Sequence, residues 1–242
     1  MKNYGYAVIT TEEYQSLIED INNKQQCISK LNTISKKENE RYKYVDSNFN
    51  EEECTLEKIA DIVEEKLSYP VFVKPSNSGS SVGIKKAHNK EELVDSVKYA
   101  GEFDKKILIE ENINGREVEC AVLGNEDAKA SCVGEILPAE DFYTFDAKYK
   151  NAESRVVMPA KIPESISDEI RKTAVKAFKA ADCTGLSRVD FFIENDTNRV
   201  IINEINTLPG FTQISMYPKL WETMGLKYSE LLDKLIELAM QK

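Results

Sequence analysis

Between residues 11 and 35 apolar side chains recur at helical spacing: Tyr14, Leu17, Ile18, Ile21, Ile28, Leu31 and Ile34. Thr10 and Glu13 stand as a capping box before them. Lys24 and Gln25 interrupt the stripe, so it predicts one amphipathic helix docking on something, with a coiled-coil dimer the less favoured outcome. From Ser35 to Glu53 the chain is polar and charged and reads as a linker or mobile surface segment. Thr55 opens a second amphipathic helix through Leu67. From Tyr69 onward the rhythm changes to strands alternating with helices. YPVFVKP, SVGIKKA, KKILIEEN, REVECAVLG and the stretch from Ala130 to Leu137 read as strands. Helices are predicted over 90–100, capped by Asn89 with Glu92, from Pro163 and Ser165 through Asp182, and from Ser229 to Met240. Asn114-Gly115 reads as a hairpin turn, and PAEDFYTFDAKYKNAE has the length of a functional lid. The class is α+β, with a helical segment at the N-terminus.

The densest candidate chemistry lies in SRVDFFIENDTNRVIINEINTLPGFT, residues 187–212. Two runs rich in Val, Ile and Phe flank the polar ENDTN, which predicts a β-hairpin with a five-residue loop. Side chains alternate along a strand, so Arg188 and Asp190 share one face, as do Glu204 and Asn206. Symmetric closure places Arg188 opposite Glu204 with Asp190 diagonal to it, about 5 to 8 Å apart. Two carboxylates and an amide oxygen suit Mg²⁺, which leaves its other positions to water and phosphates. The plainer reading is the solvated face of an antiparallel sheet. The Pro-Gly turn that follows has backbone amides able to face an anion.

Composition narrows the partners. The 242 residues are 41% hydrophobic, enough for real cores. No apolar run approaches the ~20 residues of a membrane span, and no signal-peptide layout is visible, so a cytoplasmic protein is expected. The net charge of −10 argues against nucleic acid or an anionic bilayer as partner. Cysteines 27, 54, 120, 132 and 183 are scattered without paired spacing, which fits reduced thiols and no structural zinc. Any phosphate site must be a local gathering of Lys, Arg and backbone N–H groups. KPSNSGSSVG, residues 74–83, is such a stretch: two glycines and four serines follow Lys74. It lacks the GK[ST] and following helix of a P-loop, and taken alone it reads as a turn. Glu110, Glu111, Glu117 and Glu119 surround Asn114-Gly115 and could accept bonds from ribose hydroxyls, or be surface charge in an acidic chain.

Together KPSNSGSSVG, IEENINGREV, FYTFDAKY, and SRVDFF followed by NEINTLPGFTQISMYP make residues 69–242 resemble the ATP-grasp ligases. Within these they resemble the D-alanine:D-alanine ligases, including the D-Ala:D-Ser ligases of vancomycin resistance. The resemblance implies antiparallel sheets with flanking helices and a nucleotide between two lobes. On that basis residues 1–53 are a helical segment and linker, 54–137 a partial small lobe, and 138–242 a large lobe. It implies that Lys74 binds nucleotide, Ser80 and Ser81 lie over the γ-phosphate, Glu110 and Glu111 sit at the adenine hinge, and Glu117 meets the ribose. Lys148 and Tyr149 fall on the mobile loop, and Asp190, Glu204 and Asn206 on the Mg²⁺ ligands, for two ions, with Mn²⁺ able to substitute. Arg188 and the Gly210 amide match groups that stabilise the acyl phosphate and its adduct; Ser215 and Met216 match those holding the second substrate. The implied reaction is ATP-dependent ligation of D-alanine to a second D-amino acid for peptidoglycan precursors.

Three departures stand beside the resemblance. The family's N-terminal domain and the first part of its ATP-grasp domain find no counterpart, and residues 1–53 match neither. QIS stands where SHS is usual in the second-substrate pocket. A homodimer, or a partner chain supplying the missing domain, is therefore expected if the chain turns over; the alternative is a non-catalytic MgATP-binding or interaction protein.

Overall fold

The computed structural model describes residues 32–36, 42–45, 51–79, 81–137 and 155–241. These fall into two compact units, one of residues 32–113 and one of residues 114–137 with 155–241. The division comes at Asn114, ahead of the boundary at 137/138 expected from the sequence. The predicted N-terminal helix up to residue 31 and the predicted lid lie outside the described residues, as do Ser80, Lys148 and Tyr149.

The first unit is a six-stranded antiparallel sheet in the order β3-β2-β1-β6-β4-β5. Its strands are β1 (Asn32–Lys36), β2 (Tyr42–Val45), β3 (Glu51–Cys54), β4 (Val71–Pro75), β5 (Lys85–Ala87) and β6 (Lys106–Glu111). The first three correct the sequence reading, which continued a helix to residue 35 and took 35–53 for a linker. Their strand state comes from partners distant in sequence, Thr33 pairing with Leu108 and Ile34 with Ile107, so the local charged pattern does not announce it. Helices α1 (Leu56–Lys66) and α2 (Lys90–Ala100) start where their caps predict. The Thr55 side chain accepts from Lys58 N, and Asn89 Oδ1 accepts from Glu92 N at 2.9 Å. Their apolar stripes, Ile59, Ala60 and Val63 on α1 and Leu93 and Val97 on α2, join Val71, Val73, Ile107 and Ile109 in one core. Each such aliphatic side chain contributes about 1.5 to 3 kcal/mol on burial. Alternation sends Phe72, Lys74 and Glu110 to the other face.

The second unit is a five-stranded antiparallel sheet in the order β11-β10-β7-β8-β9. It comprises β7 (Gly115–Gly124), β8 (Lys129–Leu137), β9 (Arg155–Val157), β10 (Gly185–Glu194) and β11 (Val200–Asn206). Helix α3 (Glu164–Ala180) covers one face, with Ile170, Ala174, Ala177 and Phe178 against Val118, Cys120, Val189 and Phe191. The other face is half covered by α4 (Met216–Thr223) and α5 (Tyr228–Met240), through Tyr217, Leu220, Trp221 and Leu231 on Ala121 and Leu123. The sequence reading missed α4. The uncovered half of that face carries the charged residues.

Asn114-Gly115 is not a hairpin turn, because β6 pairs with β4 and β1 while β7 pairs with β10 and β8. The glycine has another reason: a Cβ there would stand 2.5 Å from the Ile193 carbonyl oxygen. Asn114 is held as well, its carbonyl accepting from Asn195 N at 3.0 Å.

Candidate functional site

The hairpin closes differently from the symmetric expectation, and the difference builds the site. Ile193 pairs with Val200, one residue beyond the expected partner, and the register shifts again between Asp190 and Phe191. That second shift is a bulge with Asn203 as the extra residue on β11. Arg188 therefore faces Asn206, not Glu204, and Asp190 faces Glu204 directly. Two one-residue slips add up to the side-chain period of a strand, so the expected residues still share a face. The bulge also lets Val200, Ile202 and Ile205 all pack into the α3 core.

Asp190 is paired on its other side with Glu119 of β7, and Glu119 with Gly134 of β8. Glu119, Asp190 and Glu204 thus form a row across three strands. Arg188 donates from Nε to Asp190 Oδ1 and from Nη2 to Oδ2, both at 2.7 Å. Glu119 Oε2 lies 3.1 Å from the same Nε, an attraction of charge outside hydrogen-bond alignment. Asn206 Nδ2 donates to Asp190 Oδ2 at 3.0 Å and to Glu204 Oε1 at 3.1 Å. Burial works against the Arg188 charge; the bond to Asp190 and the fields of Asp190, Glu119 and Glu204 outweigh it and hold the guanidinium above its usual range.

The donor chemistry fits a hard divalent cation. Of the three residues expected as ligands, Asn206 contacts both of the others, and turning its amide over would bring its oxygen to the two carboxylates. Among the described residues no group of three or more His, Cys, Asp and Glu forms a protein-only metal cage. Two carboxylates with an amide is the smaller set that Mg²⁺ uses when phosphates complete its shell. Glu119 belongs to this cluster although the sequence reading grouped it with Glu110, Glu111 and Glu117; its offset of two from Glu117 put both on one strand face.

After β11 the chain turns sharply. Gly210 lies so close to Ser215 that a Cβ would meet Oγ at 3.1 Å. Ser215 stands at the N-cap position of α4 without a side-chain capping bond, and its Oγ accepts instead from Thr212 N in the preceding turn at 3.0 Å. Met216 does not stand clear of the sheet: its Cε would be 2.8 Å from a Cβ at Gly134. Tyr217 anchors the helix by donating from its hydroxyl to the Val122 carbonyl at 2.9 Å.

In the first unit, Lys74 and Glu110 form an ion pair of 2.8 Å on the face opposite the core. Phe72 pairs directly with both Lys86 and Glu110, so all four residues share that face. Glu111 pairs with the core residue Val71 and faces the other way, which separates it from Glu110. The loop after Lys74 is built at its base and open at its tip. Gly83 has φ +79°, and a Cβ there would meet Pro75 Cγ at 2.6 Å; Gly79 has nothing within 4 Å. Ser81 adopts φ 62°, a left-handed conformation costly for serine. Backbone N–H groups are partly spent, Ser76 on the Lys106 carbonyl and Asn77 on Asp104. His88 is exposed and bonded to Glu92.

The three thiols whose surroundings are described, Cys120, Cys132 and Cys183, do not offer a nucleophile. Burial pushes Cys120 up to about 12, and raises Cys132 and Cys183 as well.

Comparisons with known proteins place the chain in a family. Residues 39–237 match the family model of the D-ala D-ala ligase C-terminus. The D-alanine--D-alanine ligase of Acetivibrio thermocellus is 60% identical over 187 residues, covering 77% of this chain and 50% of that protein. D-alanine--D-alanine ligase B of Clostridium tetani is 53% identical over 216 residues, covering 88% of this chain and 60% of its own length. Among solved structures, the VanG D-Ala:D-Ser ligase of Enterococcus faecalis superposes with TM-score 0.75 at 35% identity over 95% of this chain and 61% of that one. The D-alanine-D-alanine ligase of Coxiella burnetii gives TM-score 0.74 at 33% identity, over 95% of this chain and 56% of that one. The chain thus spans about half the length of the first of these relatives. No described helix is long and apolar enough to cross a membrane. Its antiparallel sheets with flanking helices are those of the ATP-grasp fold, and the chain belongs to the D-Ala-D-Ala ligase family, of which it carries the C-terminal domain.

Proposed function

We propose that the chain carries the ATP- and Mg²⁺-binding part of a cytoplasmic ligase joining D-alanine to a second D-amino acid, D-alanine or D-serine, for peptidoglycan precursors. The observation that carries this is the bulge-set cluster of Arg188, Asp190, Glu204 and Asn206. Asp190, Glu204 and Asn206 hold Mg²⁺, as one or two ions, with Mn²⁺ as substitute. When bound, the metal neutralises charge on the transferring phosphoryl group.

In this reading Lys74 receives the nucleotide's phosphates, helped by the loop with Ser80 and Ser81, and Glu110, Glu111 and Glu117 contact base and ribose. Glu111 depends on its backbone for that contact, since its side chain faces the core. A carboxylate oxygen of D-alanine attacks the γ-phosphorus, ADP leaves, and an acyl phosphate forms. The second amine attacks the acyl carbon, inorganic phosphate departs, and the amine loses a proton. Arg188 and the Gly210 amide stabilise the oxyanion of that adduct. Ser215 and Met216 border the second substrate. Lys148 and Tyr149 close over the site and keep water from the acyl phosphate.

A second reading is an MgATP-binding chain without turnover, favoured by QIS where the family resemblance expects SHS beside Ser215. Phosphate release from ATP with D-alanine, with and without D-serine, separates the readings. Release above the amino-acid-free background, lost in Glu204→Gln, supports the ligase. Tight MgATP binding without release supports the second reading, and neither binding nor release contradicts both.

A further inference from the structure

Three carboxylates, Glu119, Asp190 and Glu204, stand in a row across β7, β10 and β11, and the Arg188 guanidinium contacts two of them, Glu119 and Asp190. Both oxygens of Asp190 are already bonded to Arg188, and Oδ2 also to Asn206. For Asp190 to ligate a cation it must release arginine bonds, and a largely buried guanidinium that loses its counterion is costly.

Glu119 stands where that cost can be met. It is 3% exposed, as is Asp190, and its carboxylate reaches the same Nε that Asp190 now holds. Its neighbour on the far side is Gly134, roofed by Met216 and Leu220. We propose that Glu119 is a positioning residue that retains the Arg188 guanidinium when Asp190 exchanges its arginine bonds for a divalent cation. Two acids sharing one arginine make the exchange of partner nearly cost-free for the arginine, which keeps its place beside the reacting groups. This rests on the divalent-cation reading above.

The test follows binding of a fluorescent ADP to the whole chain as Mn²⁺ is titrated, without turnover. Glu119→Gln preserves shape and removes the charge; it is expected to raise the half-saturating Mn²⁺ concentration about tenfold. In an Arg188→Lys background, which lacks the fork, the same change is expected to have little effect. An unchanged half-saturation in Glu119→Gln overturns the proposal while leaving the metal site standing. An equal loss in both backgrounds also overturns it, because Glu119 then acts on the cation directly. If the unaltered chain shows no Mn²⁺-dependent binding, the metal reading itself fails and this inference with it. Thermal unfolding of each variant separates these outcomes from loss of fold, and Glu119→Asp replaces Glu119→Gln should the latter fail to fold.

Discussion

The polar faces of the two sheets carry different charged groups. In residues 32–113 that face includes the Lys74–Glu110 pair and Lys86, beside a serine-glycine loop. In residues 114–241 it includes Glu117, Glu119, Asp190 and Glu204 with Arg188. In the proposed reading the first set serves phosphate and the second a divalent cation. Both sheets reach this by the same means. One face is given to an aliphatic core, and strand alternation sends charge to the other.

The comparison is broken most severely by removing the bulge. Deleting Asn203 reverses the facing of Glu204, Ile205 and Asn206, sending Glu204 toward the α3 core. A loss exceeding about 4 kcal/mol, or failure to fold, is expected in urea denaturation. Next comes Arg116→Ala, which strands Glu135. The two now make paired bonds of 2.6 Å, and Glu135 is buried on the core side of β8. A cost of about 3 kcal/mol is expected by the same measurement. Lys74→Ala breaks a pair whose side chains are only 16% and 14% exposed and should cost about 1 to 3 kcal/mol in stability while weakening nucleotide binding in calorimetry. The serine-glycine loop sharpens the contrast within one unit. Gly83→Ala should destabilise by about 1 to 3 kcal/mol, since it forces a Cβ against Pro75 at positive φ. Gly79→Ala should stay within about 0.5 kcal/mol.

A pH dependence is expected as well. The Cys120 thiol, raised to about 12 by burial, binds its proton more tightly folded than unfolded. Its contribution is complete below the unfolded value of about 8.5 and declines as pH rises toward 12, so stability should fall across that window, and less so in Cys120→Ala.

What the sequence revealed depended on how local the cause was. The caps at Thr55 and Asn89 and the stripes of α1 and α2 are short-range signals, and they placed both helices. The strands β1 to β3 depend on pairing with β6, far along the chain, and their charged residues resembled a linker. Asn114-Gly115 misled because its glycine answers a close approach to Ile193, not a turn. The identity of the site face was legible because an even register error leaves facing unchanged. The bulge was also written in the sequence: apolar Val200 and Ile202 are two apart, but Ile202 and Ile205 are three apart. Glu119 was hidden because its partner Arg188 is more than sixty residues away.

The central claim is that Asp190, Glu204 and Asn206 hold a divalent cation through which the chain binds nucleotide. Calorimetric titration of the unaltered chain with ATP, in Mg²⁺ and then in EDTA, addresses it most directly, with Glu204→Gln as the companion. The account predicts binding in Mg²⁺ that is lost in EDTA and at least tenfold weaker in the variant. Equal ATP binding in Mg²⁺ and EDTA would contradict it.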